Sequence, residues 1–132
     1  MVDVPGTTRQ IRSLVSETGE VRISIETVET PQPRPHQVLV RVEAAPLNPS
    51  DLGLLLAMSD IDRATAVGSL DEPVVSAPIS DKVMPSLKAR VGISTPVGNE
   101  GSGVVVAAGD SAQARALLGR RVGFPGEGTY GQ

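Results

Sequence analysis

Asn48 stands between prolines in Pro46-Leu47-Asn48-Pro49-Ser50-Asp51. Each proline fixes its own φ and pushes its predecessor toward extended backbone, so the carboxamide sits on a stiff loop. Rigid loops at strand ends are where polar groups are aimed at ligands. The plainer reading is an Asx turn that starts the following helix, and on the residues alone it leads. Gly98-Asn99-Glu100-Gly101-Ser102-Gly103 invites a phosphate-loop reading. A dinucleotide fingerprint follows a strand and opens a helix, so that amide groups meet the pyrophosphate. Here Gly101 and Gly103 lead into Val104-Val105-Val106, a strand, and the third glycine is missing. The segment therefore reads as a tight turn whose glycines let two backbones approach closely.

Other candidates carry less. His36, the single histidine, follows the connector Pro31-Gln32-Pro33-Arg34-Pro35 with no acidic neighbour, and reads as an exposed loop residue. Asp60, Asp62, Asp71, Glu72 and Asp81 have spacings that fit no EF-hand loop and read as solvated surface. The chain has no cysteine. That removes disulfides, thiolate catalysis, iron–sulfur clusters and cysteine-ligated zinc.

The elements that must position these residues follow from length and composition. At 132 residues the chain is one domain, long enough for an ordinary core. Gly 14 and Pro 11, against two aromatics (Phe124 and Tyr130), suit short strands and turns rather than a helical bundle. The net charge is −3 and the only adjacent basic pair is Arg120-Arg121, so no phosphate-tracking stripe exists and nucleic-acid binding is excluded. No apolar run approaches the ~20 residues of a membrane span. Met1 to Gly6 lacks a signal peptide's basic and apolar regions, and a cytoplasmic protein is expected.

Residues 9–15 and 21–28 predict a hairpin. Val21, Ile23 and Ile25 alternate with Arg22, Ser24 and Glu26, and Gly19 supplies a positive φ in the turn. Residues 37–45 predict a strand with Val38, Val40 and Val42 on one face. After Pro49, Ser50 or Asp51 is expected to cap a short helix through Met58. Residues 59–96 are expected to be an irregular insertion with partial helix or a flap. Residues 104–108 predict a buried strand, 111–118 two helical turns between Ser111 and Gly119, and 120–124 a further short strand. At Thr129-Tyr130-Gly131-Gln132 another strand is expected to begin, which leaves an unpaired edge and predicts a C-terminally truncated domain. The architecture expected is mainly β, a small, partly open barrel with one or two short helices.

Read in order, these segments resemble the N-terminal, GroES-like catalytic domain of the medium-chain dehydrogenase/reductase family. The resemblance rests on Val38-Leu39-Val40-Arg41-Val42-Glu43-Ala44-Ala45, Leu47-Asn48-Pro49-Ser50-Asp51, and Gly98-Asn99-Glu100-Gly101-Ser102-Gly103-Val104-Val105. Gly119-Arg120-Arg121-Val122-Gly123 and Gly128-Thr129-Tyr130-Gly131-Gln132 complete the series. Within the family the chain looks like the zinc-free quinone oxidoreductase branch. Zinc enzymes of the family place a Cys at Asn48 and a His at Asn99, and neither asparagine replaces those donors, so no zinc is expected.

The resemblance implies reduction of a quinone or activated α,β-unsaturated carbonyl, a small-molecule substrate, by hydride from NADPH. It implies that Asn48 lies beside the nicotinamide, with Asp51, Asn99 and Glu100 as pocket or structural residues. Related enoyl reductases carry a tyrosine soon after the Asn-Pro-Ser-Asp segment. This chain reads Leu52-Gly53-Leu54-Leu55-Leu56-Ala57-Met58 there, so a general acid is unassigned. The family's nucleotide-binding domain is missing from the sequence and is expected in cis beyond it, in a parent that could be a homodimer. The fragment alone is expected to be inactive. A free-standing interaction module, with 59–96 as its binding flap, is the competing expectation.

Overall fold

The computed structural model describes residues 3–131, so Met1, Val2 and Gln132, on which the leader and final-strand expectations partly fall, lie outside the described residues. The chain runs β1(Thr7–Val15), β2(Glu20–Glu29), β3(Val38–Ala44), α1(Pro49–Leu56), β4(Thr65–Gly68), β5(Pro73–Pro78), β6(Ser94–Pro96), β7(Glu100–Ala108), α2(Ala112–Ala116) and β8(Arg121–Pro125). Two 3-10 turns, Ile61–Arg63 and Met84–Arg90, complete it. The strands form a five-stranded sheet ordered β4-β5-β2-β1-β6 and a three-stranded sheet ordered β3-β7-β8. The pairings within both sheets are antiparallel. The sheets do not close into a barrel, and the domain is mainly β and partly open, as expected.

The hairpin forms as its alternation demands. Thr7 pairs with Glu29 and Val15 with Val21, around a turn in which Gly19 has φ 80 and Ser16 N–H donates to the Glu20 carbonyl at 2.8 Å. Val15 and Val21 are fully buried, whereas Ile25, on the same face as Val21, is 36% exposed. The core therefore sits at the turn end of the hairpin. There Val15, Val21, Ala57, Ala77, Ile79 and Leu87 cluster, with Ile23, Val83, Met84 and Val91 packed against them.

The segment 59–96 differs from expectation. It is not irregular: β5 pairs with β2, β4 with β5, and β6 with β1, so all three strands of the larger sheet beyond the hairpin come from it. Its strands are short, and β4 is exposed throughout, so no alternation of apolar and polar residues marks it. The helix cap is a second correction. Asn48, extended at φ −93 and ψ 158, is the N-cap of α1, with Pro49 at the first helical position and Asp51 at the third. Ser50 and Asp51 lie inside the helix. In α2 the expected cap is present: Ser111 Oγ accepts Ala114 N–H at 3.2 Å.

The far end of α1 is closed by a distant cation. Arg90 Nη2 donates to the Leu54 carbonyl at 2.9 Å and to Ser13 Oγ at 3.2 Å, while Ser13 Oγ donates to the Leu55 carbonyl at 2.8 Å. A guanidinium there satisfies carbonyls that the helix end leaves over and favours its negative pole. Burial holds the Arg90 pKa below its usual range. Among the described residues no helix is long and apolar enough to cross a membrane.

Close backbone approach explains Gly103. It pairs with Val42 and with Val122, and a Cβ built on it would overlap the carbonyl oxygen of Arg41. Gly103→Ala is expected to lower stability by about 1–3 kcal/mol in urea denaturation, since the strand must shift to make room. An unchanged midpoint would show that the β3–β7 contact is looser than described. Arg90→Met is expected to cost about 1–3 kcal/mol in urea denaturation, because it strips the donor from the part-buried Leu54 carbonyl and Ser13 hydroxyl.

Candidate functional site

Three separate stretches meet at the start of α1. The first is the loop 46–51, extended by its prolines and turned into helix by Asn48 and Asp51. Asp51 Oδ2 accepts the Asn48 backbone N–H at 2.8 Å, and Asp51 N–H donates to the Asn48 backbone carbonyl at 3.0 Å. The second is the turn into β7. Asn48 Nδ2 donates to Glu100 Oε1 at 2.9 Å, and Asn99 Nδ2 donates to Ser50 Oγ at 3.3 Å. The third is the segment after β8, where Tyr130 Oη donates to the Pro46 carbonyl at 2.8 Å and to Asp51 Oδ2 at 3.1 Å.

The structure thus brings together all four residues singled out in the sequence. Asp51 is fully buried, Asn48 is half-buried, and Asn99 and Glu100 are exposed. The helix-starting reading of Asn48 holds, and its side chain is nonetheless turned to Glu100 rather than spent on the cap alone. Asp51 suits its place, since a carboxylate in the first turn is favoured by the helix N-terminus and takes charge-assisted hydrogen bonds. Its second oxygen, Oδ1, is buried with no partner. Asn48 uses one Nδ2 hydrogen on Glu100. The other hydrogen and Glu100 Oε2 remain, an adjacent donor and acceptor. Beside them lies a shallow, largely apolar concavity lined by Ala44, Ala45, Pro46, Glu100, Phe124 and Pro125.

His36 stays exposed on its connector and makes no hydrogen bond to this cluster. Among the described residues no group of three or more His, Cys, Asp or Glu gathers into a metal-binding set. The glycines of 98–103 face protein rather than open space. A Cβ on Gly98 would overlap Thr129 Oγ1, and one on Gly101 would press on the Ala44 carbonyl at 3.3 Å. These contacts match the tight-turn reading of that segment.

Tyr130 is the residue that sequence reasoning missed. It lies 79 positions from Asp51, and no spacing rule joins them. The available signal was chemical: a tyrosine packed into a domain must find a partner for its hydroxyl. Burial raises the Tyr130 pKa above the ordinary 10.0, and the Asp51 hydrogen bond and charge push it the same way.

As the chain's single tyrosine, Tyr130 is expected to titrate by ultraviolet absorbance above the ordinary midpoint. Asp51→Asn should bring it down toward that value, and equal midpoints in the two proteins would remove the Asp51 contribution. A raised folded pKa favours the protonated form. The stability it contributes is therefore complete below the unfolded value and is lost as pH rises through the folded one.

No family model matches the chain, and no curated protein matches it. Among solved structures, it is similar to one described as a "putative NADPH:quinone reductase" from Mesorhizobium loti. The match has 21% identity and a TM-score of 0.58, and covers 98% of this chain and 34% of that one. The chain thus spans about a third of that structure's length, and what the two share is the fold.

Proposed function

We propose that this chain is the substrate-side domain of an NADPH-dependent oxidoreductase acting on quinones or activated carbonyls, with a nucleotide-binding domain supplied in cis. The observation that carries the reading is the Asn48–Glu100 pair, in which Glu100 lines an apolar concavity. Its free N–H and free carboxylate oxygen are complementary to a primary carboxamide, the group carried by a nicotinamide ring. The residues therefore fit one end of the cofactor. They do not fit its phosphates, because the glycines of 98–103 are packed against Thr129, Ala44 and Arg41.

When bound, the reduced nicotinamide would supply the hydride. What the chain's own residues do is narrower. Asn48 Nδ2 donates to a ligand carbonyl, and Glu100 accepts from a ligand N–H. Asp51 holds the backbone of Asn48 from beneath, and the walls formed by Pro46, Phe124 and Pro125 exclude water from one face of a flat ring. The structural neighbour from Mesorhizobium loti supports the quinone reading, since its name states that activity. A second reading, a binding module without catalysis, draws on the β4–β5 hairpin. Its exposed edge strand and the exposed Val67 and Leu70 are free to meet another chain.

The test uses a protein that joins this chain to a nucleotide-binding domain. NADPH oxidation with a panel of benzoquinones and naphthoquinones is expected to proceed, and Asn48→Ala is expected to lower kcat/KM about tenfold or more, beyond any effect of His36→Ala. Equal effects of the two substitutions would remove the case for Asn48. Micromolar NADPH binding by the 132-residue chain alone would show that the cofactor site is misplaced.

A further inference from the structure

Tyr130 reaches the candidate site from the other end of the chain, and its two contacts flank Asn48. Its hydroxyl meets the carbonyl of Pro46, two residues before, and Oδ2 of Asp51, three residues after. Asp51 Oδ2 is the same atom that takes the Asn48 backbone N–H. The Tyr130 backbone is anchored independently. Its N–H donates to the Val97 carbonyl at 3.2 Å, its carbonyl accepts from Ile11 N–H at 2.9 Å, and Gly131 bridges to Gln10. Thr129, its neighbour, is buried. The ring therefore hangs from a fixed stretch of backbone between β1 and the turn into β7.

From these contacts we propose that Tyr130 is a positioning residue, whose hydroxyl brackets residues 46–51 and so holds the Asn48 side chain against Glu100. The role rests on the reading of Asn48 as the ligand contact. Helix α1 has no need of this hydroxyl. Its first turn is closed by Asn48, Pro49 and Asp51 among themselves, and neither Tyr130 bond goes to a helix N–H. One bond restrains the extended stretch before the helix, where the Pro46 carbonyl has no strand partner, and the other ties that stretch to the Asp51 side chain in the first turn. One hydroxyl hydrogen is shared between two acceptors, and the share directed at Asp51 is charge-assisted. Phenylalanine would keep the ring in place and lose both bonds at once.

The experiment is nitrogen-resolved NMR on the isotope-labelled 132-residue chain, comparing wild type with Tyr130→Phe. In wild type the Asn48 side-chain amide should give a dispersed pair of signals with relaxation typical of ordered backbone. In Tyr130→Phe that pair should move toward the position of a free asparagine and gain fast motion, while signals of β1, β2 and β5 stay where they are. Unmoved Asn48 signals in a folded Tyr130→Phe protein overturn the proposal. If that variant does not fold in dilute buffer, the comparison is made in trimethylamine N-oxide, which favours the compact state and leaves Asp51 untouched, and the Asn48 pair must again loosen. Retained Asn48 order there also overturns it.

A second arm uses reduced nicotinamide mononucleotide as the probe. Binding at Asn48 is expected to weaken about tenfold in Tyr130→Phe, the equivalent of one lost hydrogen bond. Equal affinity in the two proteins counts against the positioning role. No response of Asn48 to the probe in wild type overturns the cofactor reading instead, and leaves the ligand-free comparison to decide the role of Tyr130.

Discussion

A single buried carboxylate organises the candidate site. Asp51 has no exposed surface, yet one of its oxygens joins the Asn48 backbone to the Tyr130 hydroxyl. A charge so placed is tolerable because the first turn of α1 presents unpaired N–H groups and a positive pole to it. The arrangement is demanding. The N–H of Asn48, the hydroxyl of Tyr130 and the helix N-terminus must all converge on the carboxyl group, and Oδ1 is left without a partner. Loss of one donor leaves the buried carboxylate with fewer hydrogen bonds to offset its desolvation.

Around that point the two sheets divide the work. The larger sheet and its core, gathered near Val15, Val21 and Leu87, carry the burial that stabilises the domain. The smaller sheet offers Glu100 at the start of β7 and the walls of the concavity near Phe124. Helix α1 spans the two. Its N-terminus faces Glu100, and its C-terminus is closed by Ser13 from β1 and by Arg90. The same short helix is thus fixed at one end by a carboxylate and at the other by a guanidinium, each on the side that its dipole favours.

The glycines of 98–103 illustrate how a motif changes meaning with context. A phosphate cradle needs open space above its amides. Here that space holds Thr129, the Ala44 carbonyl and the Arg41 carbonyl. The glycines serve approach of the chain to itself, and they let the turn into β7 come near enough to α1 for Asn99 and Glu100 to bond to Ser50 and Asn48. Reading the strand after the glycines, rather than the glycines alone, was enough to separate the two roles.

Local pattern alone determined a good deal. The alternation of Val21, Ile23 and Ile25, the turn at Gly19, the valines of β3 and the Ser111 cap each depend on neighbours within a few residues, and such neighbours are visible in a string of letters. Asn48 was legible as a candidate for the same reason, through the prolines beside it, whereas Asp51, Asn99 and Glu100 were candidates only through the family resemblance. The order within 59–96 was not legible. β5 and β6 are strands because β2 and β1 offer them free edges, and short strands of mixed polarity carry no period of their own. Tyr130 was hidden for a related reason. Its partners are 79 and 84 positions away, and hydrogen bonds between distant residues leave no spacing in the sequence. Only the tertiary fold, by packing the segment after β8 against β1 and the turn into β7, decides which hydroxyl reaches the buried carboxylate.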